Sequence, residues 1–333
     1  VIVLVTGASG LLGRATATAI ADAGHEVRTL QRRPSGLAGA AVSASGRAPV
    51  TDVRGSVTDP AVVGSALQGV DAVVHLAAKV SLAGDAGEFE RVNVGGTRLL
   101  LDAAEKAGVT RFVQVSSPSV AHAGAAIVGA GADPADPARA RGLYARTKAE
   151  GELLALARDR PGFAVLAVRP HLVWGPGDTQ LVERIVERAR QGRLPLLDGG
   201  TALIDSTFVD NAASAIAAAL ERAEAAHGRA YVVTNGEPRP VADLIAGICL
   251  AAGVTPPRWS VPAALARAAG GAVERWWSIR PGVDEPPMTR FLAEQLSTAH
   301  WFDQRDTRRA LDWAPAVTLD EGLARLAAHY AAG

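Results

Sequence analysis

Residues 1–6 are a continuous, β-branched apolar run that passes straight into Thr6-Gly7-Ala8-Ser9-Gly10-Leu11-Leu12-Gly13. A run of that kind suits a buried parallel strand. The Ala-rich stretch 11–23, closed by Gly24, reads as a helix. Glycines three apart between a strand and a helix have separate uses. One makes the tight turn, one lets backbone approach a pyrophosphate, and one allows the helix to pack closely on the strand. The helix start then offers free N–H groups and the positive end of its dipole to an anion. The motif therefore predicts a dinucleotide site built from Gly7, Ser9, Gly10, Leu11, Leu12 and Gly13.

The pattern continues as alternating strands and helices. Strands are expected at 26–30, 50–54, 71–76, 111–116 and 163–168, and helices at 59–67, 90–107 and 143–158. Asp59 followed by Pro60 is a helix start. The stretches 34–49 and 124–141 read as loops. Strict alternation implies an α/β fold, a doubly wound parallel (Rossmann) sheet with helices on both faces. After Pro170 the pattern loosens and tryptophans gather (Trp259, Trp276, Trp277, Trp301, Trp313), which reads as a smaller, mainly helical lobe. The expected division is a nucleotide-binding domain at 1–170, with 206–235 returning to it, and a substrate lobe at 171–333.

Composition removes several classes of function. The 333 residues carry 34 basic and 34 acidic side chains, and no basic stripe, so neither a nucleic-acid binder nor a polybasic membrane anchor is expected. Cys249 is the single cysteine, which rules out an internal disulfide framework or a cysteine metal cluster. The seven histidines show no ligand spacing, so no metal site is predicted. No uncharged apolar run reaches transmembrane length, and the apolar opening run lacks a charged flank, so neither a transmembrane helix nor a signal peptide is expected. A cytoplasmic location follows as an expectation.

The second strand bears on the choice of dinucleotide. An acid at its end would accept from a ribose 2′-OH, whereas an arginine suits a 2′-phosphate. The chain has Leu30-Gln31-Arg32-Arg33, with no acid. Gln31 and Arg32 are therefore placed at the adenosine ribose, and NADP(H) is expected over NAD(H).

Tyr144-Ala145-Arg146-Thr147-Lys148 sets a phenol and an amine four apart on a helix, hence on one face. The chain has only three tyrosines and three lysines, so the pairing carries weight. A lysine cation near a phenol is expected to lower its pKa and fit it for proton transfer with a carbonyl oxygen. The fifth strand ends in Val115-Ser116-Ser117-Pro118-Ser119-Val120, at the sheet edge where α/β proteins bind ligands. Ser117 is taken as the hydroxyl that polarises the carbonyl, with Ser116 and Ser119 as rivals.

Together these residues resemble the extended short-chain dehydrogenase/reductase superfamily. Further matches are Val74-His75-Leu76-Ala77-Ala78, Asn93-Val94-Gly95-Gly96-Thr97, the segment from Arg169 and Pro170 through Val173 to Asp178, and Phe208-Val209-Asp210-Asn211. The resemblance implies Tyr144 as acid/base, Lys148 as the nicotinamide-ribose ligand that tunes it, and Ser117 as the group that orients the carbonyl. It also places Ala77, Asn93, Pro170 and Val173 beside the cofactor and implies a homodimer. The family often has Gly-Asp after the third strand, where this chain has Gly55-Ser56, so the adenine contact differs. Within the superfamily the chain looks like the 3β-hydroxysteroid dehydrogenase branch, and is similar there to the reductases of 2-alkyl-3-oxoalkanoates. That likeness rests on Ser117-Pro118-Ser119-Val120-Ala121-His122, on Asn235-Gly236-Glu237-Pro238 and on the block 289–301.

The expected activity is ketone–alcohol interconversion on an apolar small molecule, with Ser119, His122, His171 and Trp174 as candidate pocket residues. Hydroxysteroid dehydrogenase activity uses the same catalytic set and stays open. A nucleotide-sugar epimerase or dehydratase fits less well, because Asp205-Ser206-Thr207 stands where those enzymes often carry an arginine. A non-catalytic dinucleotide sensor would not need the Tyr, Lys and Ser that this chain retains.

Overall fold

The computed structural model describes residues 1–39, 47–81, 84–122, 124–277 and 290–332, with side chains except at 274–277 and 290–292. Part of the expected 34–49 loop, the side chains of Trp276 and Trp277, and Thr289 lie outside the described residues.

Seven parallel strands form the main sheet: β1 (Ile2–Thr6), β2 (Glu26–Gln31), β3 (Val50–Arg54), β4 (Ala72–His75), β5 (Arg111–Val115), β6 (Ala164–Pro170) and β7 (Ala230–Val233). Their order across the sheet is 3-2-1-4-5-6-7. The order reverses between β1 and β4, which opens a crevice at their carboxyl ends.

Alternation along the strands makes both faces apolar. Val3 and Val5 join one core with Val74, Val113 and Val168, under α1 (Leu11–Asp22). Leu4 points the other way and joins Val73, Phe112 and Val165, under α2 (Pro60–Ala66) and α3 (Gly96–Lys106). Asp59 caps α2, accepting from the backbone N–H groups of Ala61 and Val62. Two further helices position the site, α4 (Gly142–Leu156) and α5 (Val209–Glu221).

The expected helix at 90–107 is interrupted: a wide π turn covers Glu90–Gly95 before α3 begins. The expected loop at 124–141 holds a strand, Ile127–Ala130, which pairs with His300–Phe302. That strand belongs to a second, four-stranded sheet with Leu203–Ile204 and Arg239–Pro240. Of the segment 206–235, Ala230–Val233 returns to the main sheet, while Thr207–Phe208 pairs with Val173–Trp174 outside it. A third apolar core gathers Trp174, Ile185, Phe208, Leu244, Ile248 and Leu326 from the C-terminal half. No helix among the described residues is long and apolar enough to cross a membrane.

Candidate active site

The glycine turn is built to touching distance. Gly7 adopts φ +79°, a conformation that disfavours side chains. A Cβ on Gly13 would lie 2.2 Å from the Gly7 carbonyl oxygen, so the helix sits directly on the turn. Gly10 is the N-cap of α1 and has no side-chain cap, so the first helical N–H groups stay open to a ligand. A Cβ on Gly10 would meet only the Gly7 oxygen, at 3.6 Å, and otherwise point into open space. A cradle with open N–H groups and one free side fits a dinucleotide pyrophosphate.

The floor beside it is a chain of buried hydrogen bonds. Thr97 donates to the Asn93 carbonyl, so its oxygen accepts from His75 Nε2–H at 3.0 Å. His75 Nδ1 then accepts from Thr6 Oγ1 at 2.7 Å, and Thr6 Oγ1 accepts from the Leu76 and Ala77 N–H groups. Ala77 is thereby held against Gly7. Asn93, in the π turn, accepts from the Lys79 N–H and donates to the Lys79 carbonyl and to Thr147 Oγ1. Its amide is engaged within the protein, so it holds the loop after β4 in place against α4.

Ser117, Tyr144 and Lys148 come together as the sequence suggests. Ser117 Oγ accepts from the Ser119 N–H and from Ser119 Oγ, and its hydroxyl lies near enough to the Tyr144 phenol to influence its titration. Ser116 Oγ is buried without a partner, so Ser117 is the serine at the phenol. Lys148 is 5% exposed and donates to the Val115 carbonyl at 2.6 Å. The expectation for Tyr144 itself is corrected. Burial pushes the phenol up to about 12, and the Ser117 hydrogen bond opposes this without overcoming it. Burial also lowers Lys148, to about 8, with Glu152 acting against that. The phenol is therefore neutral, the form that can give a proton to a carbonyl oxygen.

Pro170 ends β6, and Val173 follows after Leu172, whose φ of +45° marks a kinked backbone. His171 donates from Nδ1 to the Asp205 carbonyl at 2.7 Å, which leaves Nε2 as an acceptor. His122 is 2% exposed and packs edge-on to His300, with ring centroids 4.7 Å apart. Trp174 is fully buried, donates to Ser206 Oγ and packs on Phe208, so it is a core residue. Gln31 is also turned inward, its amide donating to Thr29 Oγ1, while Arg32 and Arg33 are exposed. Asp52 on β3 was not singled out from sequence. It accepts from Thr29, from Ser35 Oγ and from the Ser35 N–H, and so ties down the turn that carries both arginines.

Buried neutral histidines predict acid sensitivity. Burial lowers His75 to about 3, His171 to about 4 and His300 to about 3. An unfolded chain protonates them near 6.5. The stabilisation is thus complete well above 6.5 and is lost as pH falls through 6.5 towards 4 for His171 and towards 3 for His75 and His300, by about 2 kcal/mol per residue at pH 5. The urea midpoint should drop between pH 7 and pH 5, and an unchanged midpoint contradicts this.

The fold and the glycine cradle, with a Tyr–Lys–Ser set at the sheet's carboxyl edge, define a nicotinamide-dinucleotide oxidoreductase. The model of the NAD-dependent epimerase/dehydratase family matches residues 3–234, and the chain belongs to that family, the extended short-chain dehydrogenases/reductases. It is 39% identical, over 99% of both chains, to a 2-alkyl-3-oxoalkanoate reductase of Stenotrophomonas maltophilia (strain K279a). It is 30% identical to a 3-beta-hydroxysteroid dehydrogenase of Mycolicibacterium neoaurum, over 98% of this chain and 91% of the relative. Among solved structures, a dTDP-glucose 4,6-dehydratase from Streptomyces venezuelae with NAD and TYD bound superimposes with a TM-score of 0.73 at 26% identity. That match covers 100% of this chain and 98% of the dehydratase.

Proposed function

We propose that the protein is an NADP(H)-dependent reductase that interconverts a ketone and a secondary alcohol on an apolar substrate of the 2-alkyl-3-oxo acid class. The observation that carries this reading is the gathering of Ser117, Tyr144 and Lys148 at the carboxyl edge of the sheet, with Tyr144 and Lys148 one turn apart on α4 and the Lys148 amine anchored on the Val115 carbonyl. When bound, the nicotinamide supplies the hydride. A carbonyl oxygen set between the Ser117 hydroxyl and the Tyr144 phenol accepts a hydrogen bond from each. As negative charge grows on that oxygen, Tyr144 passes its proton. Lys148 gives one N–H to Val115 and keeps two for a cofactor ribose, and its charge favours the phenolate that remains.

The NADP(H) preference is supported by the end of β2. Among the described residues, the carboxylate beside that strand end, Asp52, is already taken up by Thr29 and Ser35. Arg32→Ala should weaken NADPH binding by about 10- to 100-fold and leave NADH unchanged. A fluorescence titration with both cofactors reads this, and equal losses for both would remove the clamp.

The substrate class is supported by the full-length likeness to the 2-alkyl-3-oxoalkanoate reductase. The second reading, a 3β-hydroxysteroid dehydrogenase, is supported by the 30% identical relative. A panel of a 2-alkyl-3-keto acid surrogate, a 3-ketosteroid and a UDP-sugar separates these. Ketone-dependent NADPH oxidation is expected with the first, and turnover confined to steroid or sugar would move the function to a neighbouring branch.

The division at 170 is proposed on the same basis, with Ser119 and His171 bordering the substrate. A cytoplasmic location would suit Cys249, a buried free thiol. The homodimer rests on the resemblance, and molar mass by light scattering decides it.

A further inference from the structure

Tyr144, Lys148 and Glu152 follow one another at four-residue intervals on α4, so the three side chains share a face. The reaction uses the first two. Glu152 is completely buried and forms a two-point ion pair with Arg169, Oε2 to Nε at 2.9 Å and Oε1 to a terminal nitrogen at 2.5 Å. The other terminal nitrogen of Arg169 donates to the Asp133 carbonyl at 2.7 Å. Arg169 is 1% exposed and lies in β6 directly before Pro170, so the pair ties the catalytic helix to the strand end that flanks the site.

We propose that Glu152 is a positioning residue: one buried carboxylate serves as counter-ion to two buried cations, Arg169 by contact and Lys148 along the helix face, and so keeps the Lys148 amine charged. This rests on the reading of Lys148 as the cofactor-ribose lysine.

The surroundings of Lys148 supply no substitute. From β5 it meets the Val115 carbonyl, a neutral dipole. From β4 it meets His75, which burial and the Lys148 charge hold neutral. On its own helix lie Tyr144, a neutral phenol, and Glu152. From β6, Arg169 adds a second positive charge behind Glu152. Of the described carboxylates, Glu152 is the one whose charge supports the ammonium against burial. Two cations removed from water around a single anion make that anion's charge decisive for the one that can lose its proton, Lys148.

The idea fixes opposite signs for two substitutions in one ion pair. Glu152→Gln removes the anion, so the amine should lose its proton at lower pH. Arg169→Met removes the competing cation and leaves Glu152 to Lys148 alone, so the amine should hold its proton to higher pH. NADPH affinity without substrate, followed by fluorescence from pH 6 to 10, reads the amine directly. Its alkaline midpoint should move down by about one pH unit in Glu152→Gln and up in Arg169→Met. The double variant leaves no unpaired buried charge from the pair and should return towards wild type, which keeps the comparison open if Glu152→Gln does not fold.

A merely structural pair would lower the melting temperature in both single variants and leave the midpoint in place. Midpoints that stay put, or that move the same way in both variants, overturn the proposal. Lys148→Met separates the two levels of inference. An alkaline limb that persists without the amine overturns the underlying reading of Lys148. A limb lost in Lys148→Met yet unmoved in the pair variants overturns the role of Glu152 alone.

Discussion

Tyr144→Phe should reduce turnover by about 10³-fold while leaving NADPH affinity within about threefold of wild type. The substitution removes one oxygen from a half-buried ring and leaves the ring's packing unchanged. What is lost is the proton donor. The phenol, pushed up to about 12 by burial, is protonated at neutral pH beside Ser117, so it is poised to give a proton. Ser117 can still bond the carbonyl oxygen in the variant, but its hydroxyl is a far weaker acid. Steady-state rates on any accepted ketone, with a parallel cofactor titration, make the measurement. A variant that keeps more than about a tenth of the rate would remove Tyr144 from the acid/base role.

The second large effect concerns the cradle, where Gly13 and Gly10, three residues apart, should behave differently. A Cβ on Gly13 would overlap the Gly7 carbonyl oxygen at 2.2 Å and approach Ala8 at 3.0 Å, all of it backbone that cannot rotate away. Gly13→Ala must therefore lift α1 off the turn, at a stability cost of about 1–3 kcal/mol. The N–H groups move with the helix, so cofactor affinity should also fall by about 100-fold or more. Gly10 has φ −88°, which any residue adopts, and its Cβ would meet no crowded atom. Gly10→Ala should fold with unchanged stability, yet place a methyl group where the pyrophosphate approaches. Thermal melts without cofactor, together with NADPH titration, resolve the pair. Equal melting losses in both variants would mean that the side of Gly10 is not open, and unchanged NADPH affinity in Gly10→Ala would mean that the open side is not the ligand's.

The two glycines also show what is legible in the sequence. The tight turn, the close packing and the open face were each readable from three glycines between a strand and a helix, since those constraints act within a dozen residues. The Tyr144–Lys148 face was readable for the same reason, as helical spacing fixes it. Ser117 is preferred from the sequence over its rivals Ser116 and Ser119, and the loop after β5 sets its hydroxyl beside the phenol while the Ser116 hydroxyl is buried. The sign of the Tyr144 shift was misjudged because burial outweighs the neighbours named by the motif. Trp174 looked like a pocket wall because an aromatic residue near a ligand segment suits either wall or core. Its packing against Phe208 and its bond to Ser206 decide for core.

The strand Ile127–Ala130 was hidden inside a small-residue segment, because its partner His300–Phe302 lies far along the chain and no local pattern announces it. Asp52 and the Glu152–Arg169 pair were hidden in the same way, each an ordinary polar residue in sequence that acquires its role from partners 17 to 23 and 17 residues away, respectively. Asn93 was singled out by its motif, but its partners 14 and 54 residues away were not legible there. The sequence alone determined the alternating units, the cradle and the Tyr–Lys face, because strand and helix periodicity and steric permission at glycine are local properties. The tertiary structure alone decided which buried polar groups meet and what charge they hold. A buried polar atom must find a partner inside the protein, and which partner is within reach is set by how distant segments close upon one another.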